Sequence, residues 1–60
     1  MTVKEKVLTF LLGAEDKSIS GEEIAKALDV TRSAVWKAIH SLQKDGYQIE
    51  GVRNKGYRLL

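Results

Sequence analysis

The sequence predicts a mainly helical α+β domain in which three helices are closed by a C-terminal β-hairpin. Three observations carry this. Apolar residues recur at helical spacing from Val3 to Leu42, helix-start signals stand at Ser20 and Thr31, and the apolar period changes to two after Gly46. With 60 residues the chain makes one domain, 1–60, and a domain of this size buries only about 60% of the surface its unfolded chain exposes.

The first helix is defined by Val3, Val7, Phe10, Leu11 and Ala14, which share one face, with Leu8 and Leu12 expected to widen the stripe. Gly13 weakens its last turn, and Glu15, Asp16, Lys17 and Ser18 form the connection that follows. Ser20 and Glu23 make a Ser-x-x-Glu capping box that starts the second helix. Glu22 and Glu23 are therefore helix-start residues and not a catalytic carboxylate pair. Ile24, Ala25 and Leu28 give that helix its buried face, and Ile19 sits either on a short strand or as a hydrophobic staple.

The second helix stops near Asp29, and Thr31 caps a third only a few residues on. A turn this short forces a steep crossing, so residues 21–40 read as a helix-turn-helix. Ala34, Val35, Ala38, Ile39 and Leu42 form the inner face of the third helix, and Gly46 suits its stop. From 47 to 60 the pattern is that of a hairpin. Tyr47, Ile49 and Gly51 alternate with Gln48 and Glu50, and a basic turn, Arg53-Asn54-Lys55-Gly56, leads to Tyr57 and Leu59. Val52 breaks the alternation, which suggests a bulge near Gly51. A basic hairpin beside a helix-turn-helix reads as a wing.

Charge is unevenly divided. Residues 1–29 hold four Lys against six Asp or Glu, and residues 30–60 hold six Lys or Arg against two acids, so a formal −2 is followed by +4. That places a positive field on the second half, as a phosphate-binding surface requires. With the inner face of the third helix assigned, Thr31, Arg32, Ser33, Trp36, Lys37 and His40 point outward. Arg32, in the first turn, has the fork that matches the paired acceptors of guanine, and Lys37 is suited to a phosphate. Thr31 is engaged as a cap. Trp36 is the least expected residue on such a face. DNA, through a thymine methyl or a sugar edge, is one partner for it, and the hairpin or another domain is the alternative. Arg53, Asn54 and Lys55 at the wing tip are placed to follow a backbone or enter a minor groove.

Other classes fit poorly. One histidine, no cysteine and no glycine-rich phosphate loop offer neither a catalytic site nor a metal site, and His40 alone is better read as a phosphate contact or as plainly solvent-exposed. Absent cysteines and the lack of a signal-like or membrane-length apolar run point to a cytoplasmic protein without a membrane partner. A protein-interaction winged helix that docks through the Trp36 face is the competing reading.

The runs Ser20-Gly21-Glu22-Glu23-Ile24-Ala25, Thr31-Arg32-Ser33-Ala34-Val35-Trp36-Lys37, Gly46-Tyr47 and Lys55-Gly56-Tyr57-Arg58-Leu59 resemble the N-terminal winged helix-turn-helix domain of bifunctional biotin protein ligases that double as biotin operon repressors. The resemblance covers nearly the whole chain. It implies a transcriptional repressor domain that binds a two-fold operator in double-stranded DNA when the full-length protein forms a homodimer. It also implies that Arg32, Ser33, Trp36 and Lys37 lie on the reading helix and Arg53, Asn54 and Lys55 on the wing. The biotinyl-adenylate corepressor would belong to a downstream ligase domain, and no cofactor site falls within these residues. Related domains in regulators with other effectors make DNA a firmer implication than biotin.

Overall fold

The computed structural model describes every residue except Met1, Asp16, Arg53 and Asn54. Three helices, α1 (Val3–Gly13), α2 (Gly21–Leu28) and α3 (Arg32–Lys44), precede two strands, β1 (Ile49–Val52) and β2 (Gly56–Leu59). Each helix opens on a hydroxyl cap. Ser20 Oγ accepts from the Glu23 N–H at 3.0 Å and Thr31 Oγ1 from the Ala34 N–H at 3.1 Å, each satisfying a donor that the helix itself leaves without a partner. Thr2 does the same for Glu5 at 3.2 Å, a cap that the Thr-x-x-Glu spacing signals and that the sequence reading did not use.

Helices α2 and α3 end in the same way. The Val30 N–H reaches back to Ala25 O at 3.0 Å and the Tyr47 N–H to Leu42 O at 3.1 Å, the six-to-one bond of a Schellman stop. Such a stop needs a left-handed residue. Gly46 supplies it at φ +104°, whereas Asp29 takes it at φ 55° without the freedom glycine has. Only Asp29, Val30 and Thr31 separate α2 from α3, as the sequence predicts.

The core is Val7 and Leu11 of α1, Ile24 and Ala25 of α2, Val35, Ala38, Ile39 and Leu42 of α3, and Ile49 of β1. α3 contributes most to it and packs on both other helices. Val3, Leu8, Phe10, Leu28, Tyr57 and Leu59 pack around its edge. Leu12 departs from expectation: it is 59% exposed. At 3.6 residues per turn it lies about 140° round the helix from Val7, beyond reach of the apolar face. Ala34 and Ala14 are half-buried instead of buried.

The hairpin is antiparallel, in register from Ile49↔Leu59 to Val52↔Gly56. The pairing is continuous through Gly51↔Tyr57, so the expected bulge at Gly51 is not formed. Val52 breaks the alternation because the strand ends there, and Tyr47 lies outside the strand and is exposed. On its other edge β2 pairs with Ile19, which selects the strand reading of that residue. The Ile19 N–H donates to Tyr57 O at 2.9 Å, and the Tyr57 N–H donates to Ile19 O at 2.8 Å. β2 thus has a partner on both edges, β1 on one and a one-residue bridge on the other.

Two substitutions test this packing. A Cβ on Gly13 would meet nothing within 4 Å, so Gly13→Ala is expected to stabilise the domain by about 0.5 kcal/mol and to raise the thermal midpoint by roughly 2–4 °C. Leu11→Ala empties a position that is 1% exposed, and by analogy with other buried leucines should cost roughly 2–5 kcal/mol. Thermal unfolding followed by circular dichroism checks both, and an unchanged or lowered midpoint for Gly13→Ala would contradict the helix end described.

Candidate nucleic-acid interface

The outer face of α3 and the hairpin flank an open cleft of about 1100 Å³. On the helix side it is lined by Arg32, Ser33, Trp36 and Lys37, and on the hairpin side by Gly51, Val52 and Lys55. Tyr57 closes the floor. Its ring lies beside Gly21 and Gly51, 3.5 Å and 3.9 Å from where a Cβ on each would stand, ordinary van der Waals distances. Ser20 and Gly21 bring the first turn of α2 to the same cleft that the first turn of α3 opens on.

The electrostatic character follows from that placement. Arg32, Lys37 and Lys55 line the cleft, and no carboxylate does among the described residues. None of the three is held in an ion pair among the described residues. Three of the eight acids are occupied elsewhere: Glu22 with Lys26 at 3.6 Å, Glu50 with Arg58 at 3.3 Å across the hairpin, and Asp45 with Lys4. The partly unpaired N–H groups at two helix starts add to the positive potential. An open, positively charged trough containing hydroxyls and a forked guanidinium is suited to an extended anion with hydrogen-bonding edges.

The residues singled out from the sequence separate into groups. Arg32, Ser33, Trp36, Lys37 and Lys55 come together on the cleft. Thr31 is exposed at its edge with its hydroxyl engaged in the cap. His40 lies one turn beyond, its ring centroid 3.9 Å from that of Trp36 and tilted by 39°. It supports the indole and does not line the trough. Trp36 is 52% exposed and is therefore not covered by the hairpin. Arg53 and Asn54 lie outside the described residues.

Sequence reasoning did not find the residues that hold the wing in place. Gly56 stands at φ +112°, and a Cβ there would fall 2.2 Å from Ile19 O and 2.5 Å from Ser20 Cα. The backbone of the wing therefore touches the backbone that leads into the α2 cap. A glycine next to a basic hairpin turn is an available signal for left-handed backbone, but the neighbour it must admit is distant in sequence.

Fold and site together define a helix-turn-helix domain with a wing. A family model described as an HTH domain matches residues 3–58, and the chain belongs to that family. It is also 44% identical over 59 residues to two proteins called bifunctional ligase/repressor BirA, from Bacillus subtilis (strain 168) and Bacillus spizizenii. The match covers 98% of this chain and 18% of each relative, so the chain spans less than a fifth of their length.

Gly56→Ala is expected to detach the wing. The left-handed strain alone costs roughly 1–3 kcal/mol, and the clash with Ile19 can be relieved only by breaking the bridge to Tyr57. Hydrogen exchange should then show lost protection at the Ile19 and Tyr57 amides, with protection kept along α3. Undiminished protection at both amides would contradict the close approach described.

Proposed function

We propose that this domain binds double-stranded DNA sequence-selectively as the regulatory part of a transcriptional repressor. The observation that carries the reading is the trough between α3 and the hairpin, where Arg32, Lys37 and Lys55 face outward with no carboxylate among them. α3 has the dimensions to enter a major groove, and the hairpin beside it then meets the flanking backbone. In this arrangement Arg32 reads a base edge, with guanine the best match to its fork, while Ser33, Lys37 and Lys55 contact phosphates. Arg53 and Asn54, by their place in sequence at the wing tip, extend the same backbone contact, and His40 adds a contact at the far end of the helix.

Similarity to proteins called ligase/repressor supports a wider reading. The domain works within a longer protein whose ligase portion makes biotinyl-adenylate, and that compound acts as corepressor away from these residues. Catalysis then belongs to the longer protein and not to this domain. Dimerisation of the longer protein would set two reading helices on a two-fold operator, with half-sites about 34–36 Å apart or a multiple of that spacing. A cytoplasmic location follows from this reading, and among the described residues no helix is long and apolar enough to cross a membrane.

Fluorescence anisotropy with labelled duplexes over a salt series tests the proposal. Affinity should fall linearly on a log–log plot, by about 0.9 in slope for each phosphate contacted. Lys55→Ala should weaken all duplexes alike and lower the slope by about one contact. Arg32→Ala should instead lose about 1–3 kcal/mol of discrimination at one base pair. If neither the domain nor a covalently linked pair of domains binds any duplex at low salt, the reading is wrong.

A further inference from the structure

Trp36 is one of four large hydrophobic residues left exposed among the described residues, with Leu12, Tyr47 and Leu60, and the only one of them that lines the cleft. Its side chain is supported from behind. His40 follows it by one turn, where helical side chains lean back toward the N-terminus, and the two rings are 3.9 Å apart between centroids. The indole surface that remains free opens on the trough, with Arg32 one turn before it and Lys37 beside it.

Those cationic neighbours limit what can cover the indole. A face that carries an apolar plate between Arg32 and Lys37, with Lys55 opposite, fits a partner that is anionic at its rims and offers a small apolar group between them. Duplex DNA has that distribution: phosphates border the major groove, and the apolar group presented on its base edges is the thymine C5-methyl. A sugar edge lies at the backbone, where the cations already make the contact.

We propose that Trp36, held by His40, is a specificity-determining residue that reads thymine methyl groups in the major groove. The proposal rests on the duplex binding argued above and adds to it the base feature recognised. Arg32 supplies hydrogen-bond readout in the first turn of α3, and Trp36 supplies apolar readout one turn later. Burying one methyl group corresponds to about a four-fold gain in affinity.

The test uses the 60-residue chain and a duplex that it selects from a random pool at low salt. That duplex is resynthesised with deoxyuridine replacing thymidine at each position in turn, which removes the methyl and leaves the hydrogen-bonding edge intact. Affinity should fall about four-fold at a subset of thymines and stay unchanged at the others. Trp36→Ala, at a position outside the core, should bind the thymine duplex about four-fold more weakly than the parent and bind the thymine and uracil duplexes equally. Trp36→Gln, which preserves helix propensity better than a bulky substitution, should do the same and guards against an effect of the alanine variant on folding, checked by circular dichroism. Uracil without effect at every position, or either variant keeping the full uracil penalty, would overturn the assignment. Failure of the parent chain to select any duplex would overturn the duplex reading itself, and this inference with it. Duplex binding that is insensitive to uracil overturns the inference alone.

Discussion

Two backbone hydrogen bonds, exchanged between Ile19 and Tyr57 at 2.9 and 2.8 Å, fix the wing against the rest of the domain. A two-stranded hairpin has little stability in water by itself, and among its described residues this one sends only Ile49 into the buried core. The bridge gives β2 a partner on its second edge and ties it to the residue that precedes the α2 cap. Because Ser20 follows Ile19 directly, the hairpin and the helix-turn-helix share one anchored piece of backbone. The wing is held beside α3 there and at one further point, where the Gln43 side-chain amide donates to Ile49 O at 2.8 Å. Gly56 is the residue that permits the bridge, since only a position without Cβ lets the two backbones come so close.

α3 serves two purposes that its periodicity separates cleanly. Val35, Ala38, Ile39 and Leu42 turn inward and are almost completely covered, which seats the helix firmly between α1 and α2. Arg32, Ser33, Trp36 and Lys37 fall on the other side and are exposed. A helix gripped along one face in this manner presents its outer side chains with little backbone freedom to lose on binding, so less of the contact energy is spent on ordering. The ion pairs contribute differently. They engage Glu22, Glu50 and Asp45 away from the trough, and their effect on stability is small because they are exposed.

Much of this arrangement was legible in the sequence because it is local. Ser20 and Thr31 are capping residues by their chemistry, Gly46 is a helix stop, and the inward set of α3 follows from spacing alone. The outward set, including Trp36, is the complement of that set. What was not legible depends on contacts between distant residues. Leu12 is apolar and still exposed, since α1 is covered only from one side. Whether Ile19 formed a strand or a staple could not be decided until β2 provided its partner, and the demand on Gly56 comes from a backbone 37 positions earlier. Within the site, sequence identified the cationic and aromatic side chains but not the floor formed by Tyr57 over Gly21 and Gly51, because a floor is a property of the packing. The stacking of His40 on Trp36 was likewise missed, although their i, i+4 spacing permits it.

If the domain binds duplex DNA as proposed, the trough between α3 and the wing is the surface that meets it. The most direct test is a titration of the isotope-labelled domain with a duplex, followed residue by residue through backbone and indole NMR shifts. Movement is expected at Gly21, at Arg32 through Lys37, at the Trp36 indole N–H and at Lys55, with α1 unmoved. Shifts concentrated on α1 around Leu12, or an α3 face that stays still at saturating duplex, would contradict it.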